Sequence, residues 1–183
     1  MSRRTAVIAV TALAIAADIA PTLTTTRNPQ ADAGAFSVPK LILWNASASV
    51  PRGLYWLSAA KPLHLGELIA ATPPPMLAEF LARRRYLPLG VPLLKHVAAL
   101  SGQRVCRIHD TITVDGAVVA LALDRDRRGR ALPTWQGCHT LLSGEVFLLN
   151  ASVPDSLDGR YFGALPATAI TARAHPLWTF KEN

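Results

Sequence analysis

The sequence predicts a mainly β protein: one antiparallel β-sheet domain with one short helix, preceded by an N-terminal membrane segment. Three observations predict it. The 14 Pro and 11 Gly are spread through the 183 residues, which cuts the chain into short elements and disfavours a helical bundle. Half the residues are hydrophobic and 17% are charged, enough for one sizeable core and far from the composition of a disordered chain. Two short β-branched runs joined by Asp115-Gly116 are a hairpin signal, because that pair favours a type I′ turn. No internal repeat is present, and the pattern excludes a coiled coil, a collagen and a multi-span membrane protein.

The first element is a leader. Arg3 and Arg4 precede the apolar run Thr5 to Ala20, which is interrupted by Asp18. A positive start followed by an apolar stretch is an export signal. Extended through Thr26 it approaches the roughly 20 residues that a bilayer requires. Residues 1–26 are therefore expected to be a signal anchor or a signal peptide, and both readings export the rest of the chain. Arg27 to Ser37 is small and polar, so 27–39 is expected to be a linker. The domain proper is expected at 40–183.

Within the domain, Leu41 to Trp44 and Gly53 to Leu57 are strand-like and flank the Ser-rich turn Asn45 to Arg52. Glu67 to Ala71 is a third strand, ended by three prolines. Met76 to Tyr86 is the predicted helix, with Met76, Phe80 and Leu81 on one face and arginines at its C-terminal end, where cations suit the dipole. Leu93 to Leu100 and Glu145 to Asn150 are apolar strands. Thr111 to Val114 and Ala117 to Ala120 form the hairpin, Asp124 to Pro133 is a polar loop, and Asp155 to Gly159 is a turn. Tyr161 to Leu165 and Ala169 to Arg173 are predicted to be short extended pieces.

The net charge is +7, and 15 of the 19 cationic side chains are Arg. They cluster at Arg83 to Arg85 and Arg125 to Arg130. No nucleic-acid motif surrounds either cluster, so a solvated or lipid-facing surface is expected and nucleic acid is not expected as a partner. His64, His96, His109, His139 and His175 are scattered, and neither a metal nor another cofactor is expected. Cys106 and Cys138 are either two separate thiols or one disulfide. The disulfide would close a loop of about 33 residues, worth a few kcal/mol in the chain-entropy model.

Three segments hold candidate chemistry. Ser47 and Ser49 precede Pro51 and Gly53; two serines at this spacing share a side of an extended segment, although a polar turn has the same composition. Lys95 lies in Pro92 to Gly102, where every residue except Lys95 and His96 is apolar or small. Lys is seldom buried, and burial lowers its pKa from the usual value of about 10.4. A fall of about three units, roughly 4 kcal/mol, gives a largely neutral amine near pH 7 that can take a hydroxyl proton. The alternative is a lysine that snorkels to water. In the third segment Asp158 and Arg160 can pair, and Ser156 can bond a neighbour; an ordinary turn before an aromatic strand reads the same way.

Taken together and in this order, these segments resemble the type I signal peptidase superfamily and, within it, the TraF-type conjugative transfer peptidases. The matching runs are Ser49-x-Pro-x-Gly-x-Tyr55, Leu93-Leu-Lys95 and Asp158-x-Arg-Tyr-Phe-Gly163, and the resemblance covers residues 40 to 170. It implies the signal peptidase type of β domain and a Ser–Lys dyad, with Ser49 as nucleophile and Lys95 as general base. It implies that Ser47 donates to the oxyanion, that Ser156 orients the lysine, and that Asp158 and Arg160 support the site. Gly159 departs from the housekeeping pattern Asp-Ser-Arg; the departure removes a hydroxyl and is expected to loosen the turn. The implied partners are a membrane-borne pilin precursor or another exported preprotein, the lipid bilayer, and other conjugation or secretion components. The implied location is the inner (cytoplasmic) membrane, with the domain on its periplasmic or extracytoplasmic side. Two alternatives remain at this point: a general signal peptidase, and a non-enzymatic exported component of a secretion apparatus.

Overall fold

The structure, a computed structural model, describes residues 41–180; the expected membrane segment and linker lie outside the described residues. Along the described chain come β1 (Leu41–Asn45), β2 (Gly53–Ser58), β3 (Leu68–Ala71), helix α1 (Pro75–Arg83), β4 (Leu93–Ala99), β5 (Arg104–Ile108), β6 (Thr111–Val114) and β7 (Ala117–Leu121). They are followed by β8 (Gly137–Thr140), β9 (Glu145–Leu149), the one-turn helix α2 (Gly159–Phe162), β10 (Leu165–Pro166) and β11 (Ile170–Thr179). These strands form an antiparallel sheet of seven in the order β1-β2-β11-β3-β4-β9-β10, and one of four in the order β7-β6-β5-β8. The fold is mainly β with short helices, and no helix among the described residues is long and apolar enough to cross a membrane.

The core follows from the apolar runs. In β9, Val146 to Leu149 are all buried, as a continuous apolar run allows when both faces of a strand are covered. Ile69, Val97, Val146, Leu148 and Leu165 pack into one cluster. Phe147 and Leu149 join Val105 and Ile112 in another, which connects the two sheets. In the hairpin, Asp115 (φ 50°) and Gly116 (φ 86°) both have positive φ, as a type I′ turn demands.

Five elements differ from the sequence expectation. Helix α1 stops at Arg83 because Arg85 turns left-handed (φ 58°) and the Tyr86 N–H donates back to the Leu81 carbonyl at 2.9 Å. On that helix Leu81 is buried, but Met76 is 87% exposed and takes no part in the buried face. The segment expected to be extended from Tyr161 begins inside α2, because Asp158 accepts the Arg160 N–H and caps a helical turn. This is the N-cap preference of Asp. The C-terminal strand β11 runs on to Thr179, between β2 and β3. Strands β5 and β8 were not expected; Cys106 and Cys138 face each other across them and are joined as a disulfide.

Gly159 does not loosen its turn. A Cβ there would lie 2.5 Å from the Phe147 ring and 2.8 Å from the Leu148 carbonyl. The glycine lets α2 seat directly on β9. Gly53 acts similarly at the start of β2: its φ is +147°, and a Cβ would lie 2.1 Å from the Trp178 carbonyl of β11.

Candidate active site

Ser49 sits on the loop between β1 and β2, and one buried side chain shapes that loop. Asn45 Nδ2 donates to the carbonyls of Ser47 (2.9 Å), Val50 (3.1 Å) and Pro51 (3.1 Å). Its Oδ1 accepts from the Ser47 N–H at 3.1 Å and from the Ser47 hydroxyl at 2.9 Å. The Tyr55 hydroxyl donates to the Pro51 carbonyl at 2.6 Å. The turn is thus tied down at both ends, and Ser47 and Ser49 face one another at 2.9 Å between hydroxyl oxygens. Because Ser47 gives its proton to Asn45, Ser49 is the donor in that contact.

Lys95 lies on β4 and is 2% exposed. Burial lowers its pKa to about 8; Asp158 opposes the fall and Arg160 adds to it. Its Nζ donates to the hydroxyl of Ser156 at 2.8 Å, and Ser156 is itself buried. Among the described residues no carboxylate touches this amine, and a buried ammonium bonded to a neutral hydroxyl sheds its proton more readily than one in water.

The turn that carries Ser156 is built by Arg160. This guanidinium pairs with Asp158 (Nη2 to Oδ2 2.8 Å, Nε to Oδ1 2.9 Å), and both residues are fully buried. It also donates to the carbonyls of Pro154 (2.8 Å), Val153 (2.7 Å) and Asn150 (3.2 Å). A paired and fully hydrogen-bonded buried charge is tolerated, whereas removing one partner strands the other. Arg107, also buried, donates to the Arg160 carbonyl at 2.6 Å.

Asn150 joins the three segments. Its Nδ2 donates to the Ser49 carbonyl at 2.6 Å and to the Leu94 carbonyl at 3.2 Å. Its Oδ1 accepts from the His96 backbone N–H at 3.2 Å and faces His96 Nδ1 at 2.9 Å. Its own N–H donates to Asp158 Oδ2 at 3.0 Å. Asn150 therefore grips the residues on either side of Lys95, the backbone of Ser49, and the Asp158–Arg160 pair. Sequence reasoning missed Asn45, Asn150 and Arg107. An Asn at the end of a strand reads as turn punctuation, and nothing local marks a bond that spans 101 residues.

Ser47, Ser49 and Ser156 line one groove of about 590 Å³, whose walls include Trp44, Leu87 and Val91. The Ser49 hydroxyl is held by Ser47 and the Lys95 amine by Ser156, with no hydrogen bond running between Ser49 and Lys95 in this arrangement. Catalytic hydrogen bonds are commonly unmade before substrate binds. Chemically, the groove offers a hydroxyl beside the Ser47 hydroxyl, a wall hydroxyl of Ser156 that holds a depressed amine, and apolar walls suited to an extended peptide of small and apolar residues.

Comparison with known proteins adds the following. Residues 4–178 match the family model described as signal peptidase, peptidase S26. The chain is 31% identical over 146 residues to a plasmid transfer protein TraF of Escherichia coli, covering 74% of this chain and 82% of that protein. It is 35% identical over 146 residues to a conjugal transfer protein TraF of Agrobacterium fabrum, covering 74% and 81%. A solved signal peptidase I of Enterococcus faecalis V583 is matched at 21% identity over 63% of this chain and 98% of that one, with a TM-score of 0.37, a superposition too loose to carry residue equivalences.

Proposed function

The chain belongs to the signal peptidase family, peptidase S26, and is a serine peptidase; from that premise we propose that Ser49 and Lys95 are its dyad and that it processes an exported precursor in conjugation, a membrane-borne pilin precursor. The observation that carries this reading is Lys95: a buried amine with its pKa lowered to about 8, bonded to Ser156 in the wall of the groove that also holds Ser49. The transfer proteins to which the chain is similar support the conjugative setting.

Neutral Lys95 takes the Ser49 proton as Ser49 Oγ attacks the scissile carbonyl. The oxyanion is met by the Ser49 backbone N–H and by Ser47, whose proton must first leave Asn45 Oδ1. Protonated Lys95 then gives its proton to the leaving amine. Ser156 holds the lysine throughout, and the Asp158–Arg160 pair holds Ser156. The acyl-enzyme is released by water, giving a linear product, or by the substrate's own amine, giving a cyclic one; the two differ only in the final nucleophile. In this proposal residues 1–26 form the membrane segment and 27–39 the linker. Residues 40–183 form the peptidase domain on the extracytoplasmic side of the inner membrane.

The test is co-expression of wild type and Ser49→Ala with the candidate pilin precursor, read by intact-mass spectrometry. Loss of a peptide mass with wild type alone means cleavage, and a further loss of one water means cyclisation. An unchanged precursor together with no labelling of Ser49 by a serine-reactive acylating probe overturns the reading.

A further inference from the structure

The two arginine clusters, 40 residues apart in sequence, are brought together beside the groove. Arg84 Nη1 donates to the Ala131 carbonyl at 2.6 Å, and Arg130 Nη1 donates back to the Arg84 carbonyl at 2.8 Å. The Tyr86 hydroxyl donates to Asp126 Oδ2 at 2.6 Å, and the Arg130 guanidinium lies 4.7 Å over the Tyr86 ring. Arg130 also pairs with Asp126. The loop after β7 is thus fastened to the end of α1, and between them is a pocket of about 220 Å³.

Its lining includes Arg85, Arg127, Arg128 and Arg130, with Asp126 and Asp155 as the acidic members. Both carboxylates are engaged, Asp126 by Arg130 and Asp155 by Arg127. The Arg128 backbone N–H donates to Asp126 Oδ1 at 2.9 Å, but among the described residues the guanidinium groups of Arg85 and Arg128 have no carboxylate in contact, which leaves the pocket two positive charges in excess. Tyr86, Asp155 and Leu157 line both this pocket and the groove that holds Ser49. The pocket and the groove therefore adjoin, and a chain lying in the groove passes close to the arginines. Guanidinium groups in a concavity are matched to a carboxylate, which they bond in bidentate fashion.

We propose that this pocket is a subsite for a carboxylate of the bound precursor, an acidic side chain or a chain terminus near the scissile bond, received by Arg85 and Arg128. The inference rests on the groove being the substrate site. It explains why the Asp126-centred network, an elaborate arrangement for an exposed loop, is placed beside that groove. It also makes the arginines a determinant of which precursor is chosen rather than a general surface charge. The contribution is screened by salt, as exposed charge attraction is.

The test uses the full chain in detergent, carrying Ser49→Ala so that nothing is turned over, with three fluorescein-labelled pentapeptides read by anisotropy. One is tetraalanine with a single glutamate and an amidated end, the second replaces glutamate by glutamine, and the third is pentaalanine with a free terminal carboxylate. At least fivefold tighter binding of a carboxylate-bearing peptide than of the glutamine peptide is expected, falling below twofold in Arg85→Gln/Arg128→Gln. Whichever carboxylate peptide is preferred identifies the source. Equal or undetectable binding of all three, or a preference unchanged in the double variant, overturns the proposal. So does loss, in the double variant, of retention on phosphatidylglycerol vesicles without peptide discrimination, which would assign the arginines to a lipid surface. Binding here does not depend on the Ser49 hydroxyl, so failed cleavage by wild type would strike the dyad reading and leave this one standing.

Discussion

Asn150 Nδ2 donates to the carbonyl of Ser49 at 2.6 Å, across 101 residues of sequence. The same nitrogen reaches Leu94 O, and Oδ1 takes the His96 N–H, so the backbone of the proposed nucleophile and the strand of the proposed base share one clamp. Asn150→Ala is expected to lower kcat by about 10²-fold, the scale of a small misplacement of reacting groups, with KM for a peptide substrate little changed. A parallel rise in KM, or a loss fully explained by unfolding in circular dichroism, would show Asn150 to be structural only. Unpaired carbonyls left in the interior cost about 1–3 kcal/mol each, so the melting temperature is measured alongside.

Lys95→Arg is expected to abolish precursor processing while the domain stays folded, because a guanidinium remains protonated and cannot act as base. Ser49→Ala is expected to give the same loss. Processing at wild-type rate by Lys95→Arg, read by intact mass, would remove the dyad.

The pH profile carries a sign. In the proposed dyad the active form is the neutral amine, so kcat/KM is expected to rise with pH through a limb near 8 and then level off. Stability moves the same way for this group. The native pKa lies below its ordinary 10.5, so the penalty of a buried ammonium is fully present below 8 and is relieved as pH rises from 8 to 10.5. A limb near 6.5 in the rate profile would point to a histidine instead.

Gly159→Ala is expected to cost about 1–3 kcal/mol through overpacking against Phe147 and the Leu148 carbonyl. A melting temperature within a degree of wild type would show that β9 yields freely there.

Much of the fold was legible locally. The apolar runs of β4 and β9, the Asp115-Gly116 turn and the Pro-terminated β3 each announce themselves within a few residues. Ser47, Ser49, Lys95, Ser156, Asp158 and Arg160 could be singled out as candidates because their segments form a recognisable set. What could not be read depends on partners far along the chain. Strand β8 is Gly-Cys-His-Thr with almost no buried side chain, so it has no apolar period to detect; its partner and its disulfide define it. Residues 161 and 162 looked extended because the Asp158 cap that coils them competes with an aromatic, strand-like composition. Asn45 and Asn150 carry ordinary turn chemistry, and only the assembled sheet turns it into a clamp. The arginine clusters looked like two solvated surfaces because nothing in the sequence says that α1 and the loop after β7 meet.

The position of β11 has a consequence for timing. In the large sheet, β1 and β2 flank the Ser49 loop while β3 and β4 present Lys95, and β11 separates the two pairs. Within the sheet, the two halves of the proposed dyad thus lie on opposite sides of β11, which joins β2 to β3. A nascent chain emerging N-terminus first has its serine and its lysine long before that strand exists. A growing polypeptide therefore holds the proposed dyad, Ser49 and Lys95, on one continuous sheet only once residues 170–179 have been threaded into place.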